Sequence, residues 1–394
     1  MDQTDGPKRF VIFSRYLPSM GGIETFTDSL AKELSSRGHH VTIVTTDGYG
    51  HCDSLGRNEH LAVVRLNSRS MLGGRFPIPL PTPKSEKALK RVMASDPNYV
   101  MINARYYLLS QIGAVFSKKL GIRPILLDHS SSYIPSSNPL ISKAITIAEH
   151  AASKRLTSIT GIDFYGVSKK SSAWLSTFSI DSRGEIHNAI DAAEFRKART
   201  ETSFRARFAI NENAMVVSLV SRLVEGKGAI ELIKAAETLQ HCDIHFLIAG
   251  DGPLAAKASE MTRDLARVHL LGRLQRGDVS ALLQESDVFC FPTSYAEGMP
   301  TSLLEAGACG NALVVTDTGG TEEIVPDASH GIVLESVKPN DIAKALLRLY
   351  DNPDALSQLK AKAANHIESN FSWRKTADSV VRACQQANSA SAHR

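Results

Sequence analysis

Met215-Val-Val-Ser-Leu-Val220, then Ser221-Arg-Leu-Val-Glu-Gly-Lys-Gly228, then Ala229 to Leu239: a strand, a glycine-bearing loop and a helix, read directly from the residue types. A short apolar, β-branched run is a buried strand. Gly226 and Gly228 punctuate the chain before the helical stretch. Strand, short loop and helix together make the building block of a parallel sheet. The block recurs downstream in His245-Phe-Leu-Ile-Ala249, Val268-His-Leu-Leu271, Val288-Phe-Cys-Phe291 and Ala312-Leu-Val-Val315. It also fills the first half. Phe10-Val-Ile-Phe13 is a strand, Gly21-Gly22 a break, and Ile23 to Arg37 a helix with Phe26, Leu30 and Leu34 on one face, stopped by Gly38. Val41 to Thr45, Ala62 to Leu66, Tyr99 to Ile102, Pro124 to Leu127, Ser158-Ile159 and Phe164 to Val167 continue the strand series. The chain therefore reads as two α/β domains, each a doubly wound parallel sheet, joined around residues 187–213. The polar stretch Phe195 to Phe208 reads as linker.

Length agrees, because 394 residues exceed one ordinary core. With 43% hydrophobic and 22% charged residues, the composition is that of a globular protein. No apolar run approaches the ~20 residues that span a bilayer, and Met1 to Pro7 lacks a basic-then-apolar signal pattern. The five cysteines, Cys52, Cys242, Cys290, Cys309 and Cys384, are scattered and form no Cys-x-x-Cys pair. A disulfide framework or zinc site is not expected, and a reducing cytoplasm is the expected setting. A net charge of +4 is too mild to imply nucleic acid.

Ligands of open α/β sheets bind at the carboxyl ends of strands, so the loops there are the candidates. Glu297-Gly-Met-Pro-Thr-Ser-Leu-Leu-Glu305 is the richest. Pro300 suits a helix start, and such a start aims unpaired N–H groups and a partial positive charge forward. A carboxylate on each side can hold hydroxyls while the backbone holds phosphate. On these nine residues alone, a surface loop before an amphipathic helix serves equally well. Arg222 and Lys227 can neutralise a diphosphate, or be ordinary solvated charge; the loop is not a Walker motif. Gly21-Gly22 lacks the dinucleotide fingerprint, yet lets backbone approach a ligand. His129 ends a strand and reaches its rim. The turn chemistry of Gly250-Asp-Gly-Pro253 explains itself locally.

In this order the loops resemble the retaining glycosyltransferases of the GT-B fold, the family-4 group of bacterial polysaccharide, mannosyl and sucrose-related transferases. Gly-Gly-Ile-Glu24, Ser-Arg222 to Lys-Gly228, Ala-Gly-Asp-Gly252 and Glu297-Gly-Met-Pro to Leu-Leu-Glu-Ala306 carry the resemblance, which covers nearly the whole chain. It implies two facing Rossmann-like domains with a cleft between them: an acceptor domain, residues 1–190, and a donor domain, 191–372. A C-terminal helix at about 373–388 would pack back on the first. It implies catalytic roles for Arg222, Lys227, Glu297 and His129. Arg222 and Lys227 would hold the donor diphosphate, Glu297 the sugar hydroxyls, and His129 would lie against the sugar. Donor-binding positions would be Gly21, Gly22, Gly250, Leu271, Gly298, Met299, Pro300, Thr301, Ser302 and Glu305, with Glu305 on the ribose. Asn188-Ala-Ile-Asp191 resembles the family's Asn-Gly-Ile-Asp hinge, with Ala189 in place of glycine. No cofactor and no metal is expected; the nucleotide sugar, a UDP-sugar or GDP-mannose, is a substrate. The activity implied is retaining transfer to a glycan or lipid-linked acceptor in cell-envelope polysaccharide or glycolipid synthesis. The alternatives are an epimerase or phosphorylase on the same fold, or a non-catalytic protein that binds sugar nucleotides within a complex.

Residues 65–95 carry seven basic side chains (Arg65, Arg69, Arg75, Lys84, Lys87, Lys90, Arg91) and one acid, Glu86. Pro77, Pro79, Pro81 and Pro83 favour an extended loop among them. This stretch suits either docking on anionic lipid at the inner face of a membrane or plain solvation.

Overall fold

A computed structural model describes residues 6–16, 21–48, 59–71, 76–133 and 138–392. Cys52 and Arg75 lie outside the described residues. The chain divides into two compact units, residues 1–188 with 373–394, and residues 189–372.

The first unit runs β1 (Arg9–Phe13), α1 (Gly22–Ser36), β2 (His40–Thr46), β3 (Leu61–Leu66), β4 (Ser68–Met71), β5 (Phe76–Pro79), α2 (Pro83–Ala94), β6 (Tyr99–Asn103), α3 (Leu108–Leu120), β7 (Ile125–Asp128), α4 (Pro139–Ile159), β8 (Asp163–Gly166), α5 (Lys169–Trp174) and β9 (Ser182–Glu185). Its seven-stranded parallel sheet has the order β3-β2-β1-β6-β7-β8-β9. Val11 and Phe13 of β1, Val100 and Ile102 of β6, and Leu126 of β7 pack on Leu109, Ala114 and Phe116 of α3 and Leu156 of α4.

The second unit runs α6 (Ala192–Lys197), α7 (Phe204–Arg207), β10 (Met215–Val220), α8 (Ala229–Thr238), β11 (Ile244–Ala249), α9 (Ala255–Met261), β12 (Val268–Gly272), α10 (Arg276–Gln284), β13 (Val288–Phe291), α11 (Thr301–Ala308), β14 (Ala312–Thr316), α12 (Thr321–Ile324), β15 (Ile332–Leu334), α13 (Pro339–Tyr350) and α14 (Pro353–Asn370). The parallel sheet order is β12-β11-β10-β13-β14-β15. Strand alternation splits the core. Met215, Val217 and Leu219 of β10 join Leu232 and Ile233 of α8 and Leu346 of α13 on one face. Val216 joins Phe204, Ala281 and Leu282 on the other. A last helix, α15 (Trp373–Ala392), belongs to the first unit. There Trp373 meets Phe26 edge-on at 5.5 Å, and Arg37 Nη1 reaches Asp378 Oδ1 at 2.6 Å.

Three local readings are corrected. Ser158-Ile159 is the end of α4, not a strand. That helix is started by Asn138, whose Oδ1 accepts from Leu140 N and Ile141 N, and its apolar contact through Leu156 outweighs the strand preference of two residues. Phe195 to Phe208 is not a linker: Phe195 and Phe204 are buried on two short helices capped by Asp191 and Ser203. The proline-rich loop contains instead a two-stranded antiparallel sheet, β4 with β5, where Pro77 and Pro79 sit in a strand with no further strand neighbour among the described residues, the position prolines tolerate.

Candidate active site

In the second unit β10 and β13 are neighbours, yet their helices leave on opposite faces. α8 packs on α13, whereas α11 packs with α6 and α10. The loops after the two strands therefore diverge at the carboxyl edge, the switch point where such sheets hold ligands. These loops are residues 221–228 and 292–300.

Glycines shape the first loop. Gly228 has φ +83°, and a Cβ there would lie 2.4 Å from the Pro292 carbonyl oxygen. Gly226 has φ +81°, and its carbonyl oxygen accepts from Ser294 N at 2.8 Å, Tyr295 N at 3.0 Å and Thr293 Oγ1 at 2.8 Å. One carbonyl thus fastens the two loops together. The turn after β11 braces the same loop from behind. A Cβ at Gly250 would lie 1.8 Å from Ser221 O, and Leu223 N donates to Asp251 O at 2.9 Å. Gly250 thereby positions the Arg222 segment. Below the second loop, a Cβ at Gly319 (φ +52°) would lie 2.5 Å from Glu297 O.

This framework joins Lys227 to Glu297. The Lys227 ammonium is bonded to Glu297 Oε1, and both side chains are mostly buried. The ammonium also lies 4.6 Å from the Tyr295 ring centroid, a face that favours a cation. Arg222 is exposed and has no ion-pair partner among the described residues. Helices α8 and α11 start at Gly228 and Pro300 with no side chain capping either end, so their first N–H groups are left to the crevice. Thr301 and Ser302 open α11, while Met299 is buried against Gly320 and offers backbone only. Gly298 is half-buried beside Glu297, and Leu271, at the end of β12, is half-buried on the adjacent apolar cluster. Glu305 lies one turn into α11, and its carboxylate has no hydrogen-bonding or ionic partner among the described residues. Burial pushes its carboxyl from 4.5 up to about 7, with Arg276 acting weakly the other way.

In the first unit, Gly21 and Gly22 start α1 with no side-chain cap. Glu24 is buried and holds Arg15 Nε at 2.5 Å. A Cβ at Gly22 would meet nothing within 4 Å, so packing within the chain does not demand glycine there. His129 follows β7, edge-on to Phe26 at 5.1 Å, with Nε2 3.5 Å from Asn103 Oδ1. Burial lowers its imidazole from 6.5 to about 3, which makes it a neutral hydrogen-bonding group at physiological pH.

Two family models match the chain: Glycosyltransferase Family 4 over residues 20–192 and Glycosyl transferases group 1 over residues 200–366. The chain belongs to the GT-B glycosyltransferases. Among similar proteins is a GDP-mannose-dependent monoacylated alpha-(1-6)-phosphatidylinositol monomannoside mannosyltransferase of Corynebacterium glutamicum, 24% identical over 93% of this chain and 94% of the relative. An uncharacterized glycosyltransferase of Methanocaldococcus jannaschii is 21% identical over 93% of this chain and 96% of its own length. Among solved structures, Anabaena HepE in complex with UDP superposes with a TM-score of 0.75 at 17% identity, covering 96% of this chain and all of that one. A likeness at that identity speaks for the fold.

The sequence reading of this glycosyltransferase missed a polar chain across the strand ends of the first unit. Ser14 Oγ lies 2.8 Å from Thr27 Oγ1, Asn103 Nδ2 donates to Thr27 Oγ1 at 2.9 Å, and Asn103 faces His129. It also missed Arg105, wholly buried and bonded to Asp128 at 2.6 Å and Glu149 at 3.1 Å. The available signal was Asn103 and Arg105 directly after the apolar run Tyr99 to Ile102.

Glu305 gives a pH prediction. Its folded value lies above 4.5, so between about 4.5 and 7 the folded glycosyltransferase holds this proton more tightly than the unfolded chain. Its contribution to stability is therefore present at low pH and declines as pH rises through that window. Glu305→Gln is expected to melt higher than the parent at pH 8 and level with it at pH 5. A parent that melts higher at pH 8 contradicts the unpaired, desolvated carboxylate.

Proposed function

We propose that this glycosyltransferase transfers a sugar from a nucleotide-diphosphate donor, with retention of configuration, to a lipid-linked or glycan acceptor. The observation that carries the donor is the crevice itself, which gathers unpaired Arg222, Lys227 tethered to Glu297, and the open starts of α8 and α11. Cleaving the bond between sugar and diphosphate places charge on the leaving phosphate. Fixed cations and helix N–H groups stabilise such charge without reorganising. Arg222 and Lys227 take the diphosphate, the backbone of Gly298 to Ser302 takes its oxygens and the neighbouring sugar, and Glu297 takes the sugar hydroxyls. Glu305 takes the ribose, where hydroxyl donors give its unpaired carboxylate partners. Leu271 borders the base, and Gly250 holds Arg222 in place. Within the first unit, Gly21 and Gly22 offer backbone and neutral His129 offers a hydrogen bond to a ligand. The scheme needs no metal, because the two cations supply the compensating charge.

The lipid acceptor is supported by the corynebacterial relative, a mannosyltransferase named for a phosphatidylinositol monomannoside acceptor. It accords with association at a membrane's cytoplasmic face through the basic residues 65–91. Among the described residues no helix is long and apolar enough to cross a membrane.

A thermal-shift panel of UDP, GDP and ADP, followed by transfer assays with the matching sugars, tests this reading. One nucleoside diphosphate is expected to raise the melting temperature by mass action. Its sugar is expected to be consumed only when acceptor is present. Consumption of the free donor to an isomer, or dependence on inorganic phosphate, identifies an epimerase or phosphorylase instead.

A further inference from the structure

A groove away from the strand-end loops lies on the helical face of the first unit. It is about 510 Å³ in volume and runs between α2 and α3, within the usual range for a ligand site. Leu89 and Met93 line it from α2, four residues apart and so on one helix face. Ile112 and Phe116 answer them from α3 with the same spacing. Leu108 and Val115 stand on its lip with 44% and 42% of their surface exposed, so they extend the apolar lining to the groove's mouth.

Its charge is one-sided. Lys90, Lys119 and Arg155 border it, against the single acid Glu86, and none of the four has an ion-pair partner among the described residues. The charge is also polarised along the groove. Leu108 begins α3 just after the carboxyl end of β6, whereas Lys119 closes α3 and Arg155 lies in the last turns of α4. Both helices run antiparallel to the strands they connect, so Lys119 and Arg155 share the opposite end of the sheet from His129. An apolar trough with cations at one end is complementary to a hydrocarbon chain carrying an anionic head. The head would sit at the end remote from His129, which separates this lipid from an acceptor presented for transfer.

We infer that the α2–α3 groove seats one hydrocarbon chain of an anionic bilayer phospholipid, with Lys119 and Arg155 on its phosphate, and that it anchors the first unit to the membrane. This is independent of the donor assignment and assigns the apolar half of the contact, which the basic run alone does not supply.

The test uses the full-length protein and dodecyl phosphate below its micellar concentration, followed by calorimetry. Inorganic phosphate and dodecyl maltoside serve as controls. Dodecyl phosphate is expected to bind, inorganic phosphate not at all, and the maltoside at least tenfold more weakly. Val115→Glu, which puts a charge on the apolar lip, and the double variant Lys119→Glu/Arg155→Glu are each expected to weaken dodecyl phosphate at least tenfold. All three positions are exposed or half-exposed, so the variants are expected to fold and to keep the nucleotide-induced thermal shift. Cosedimentation with phosphatidylglycerol-containing vesicles is expected to fall in parallel. Unchanged dodecyl phosphate affinity in both variants overturns the site. Equal binding of the maltoside overturns the anionic head. Retained vesicle binding in both variants overturns the anchor.

Discussion

Lys227→Ala is expected to lower kcat/KM for the cognate nucleotide sugar by about 10²–10³-fold, the range for removing one preorganised group that meets developing charge. Glu297→Ala is expected to lose a similar amount for a linked reason. The carboxylate holds the Lys227 ammonium between the loops that follow β10 and β13, so its removal releases the cation as well as the sugar contact. Because the two groups act as a unit, the double variant is expected to fall little further than either single one. The backbone of both loops stays tied through Gly226 O, so circular dichroism and melting curves are expected to remain close to the parent. Near-native turnover by both single variants would remove these residues from the chemistry. A loss in Lys227→Ala alone would leave Glu297 only a surface acid that happens to meet a lysine.

The parallel sheets were legible because fully buried strands are continuous apolar runs. Met215 to Val220 and Val288 to Phe291 announce themselves without their neighbours. Their strand-end loops were legible because glycine and proline report backbone geometry directly; Gly228 is required by its φ and by Pro292. What stayed hidden depends on partners far apart in sequence. Ser158-Ile159 looks like a strand until the helix beginning at Asn138 is seen to continue through it. Phe195 and Phe204 look like isolated aromatics in polar surroundings until their short helices bury them. Nothing near Lys227 in sequence states that it meets Glu297, seventy residues on. The α2–α3 groove is likewise a property of two helix faces and the gap between them. Arg105 is the extreme case, since an arginine two residues past an apolar strand reads as a surface cation.

Arg105→Met is expected to destabilise the first unit by about 3–5 kcal/mol, the usual cost of breaking a buried ion pair from one side. Arg105 has no exposed side-chain surface, nor has Asp128, and Glu149 has little. Its guanidinium bonds Asp128, Glu149 and Ser153 Oγ while lying 3.4 Å from the Phe178 ring centroid. Methionine fills part of the space but removes the guanidinium from the enclosed Asp128 and from Glu149. For a unit of this size the melting temperature is expected to fall by roughly 6–20 °C. Adding Asp128→Asn and Glu149→Gln to Arg105→Met is expected to recover part of the loss, because the amides carry no charge to desolvate. Transfer is expected to suffer beyond the loss of folded protein, since Asp128 immediately precedes His129 and its Oδ1 holds Ser130 N at 3.1 Å. The buried arginine thus ties the position of the neutral imidazole to the core. A melting point close to the parent would show that the arginine is not the counter-charge that holds Asp128 in the core.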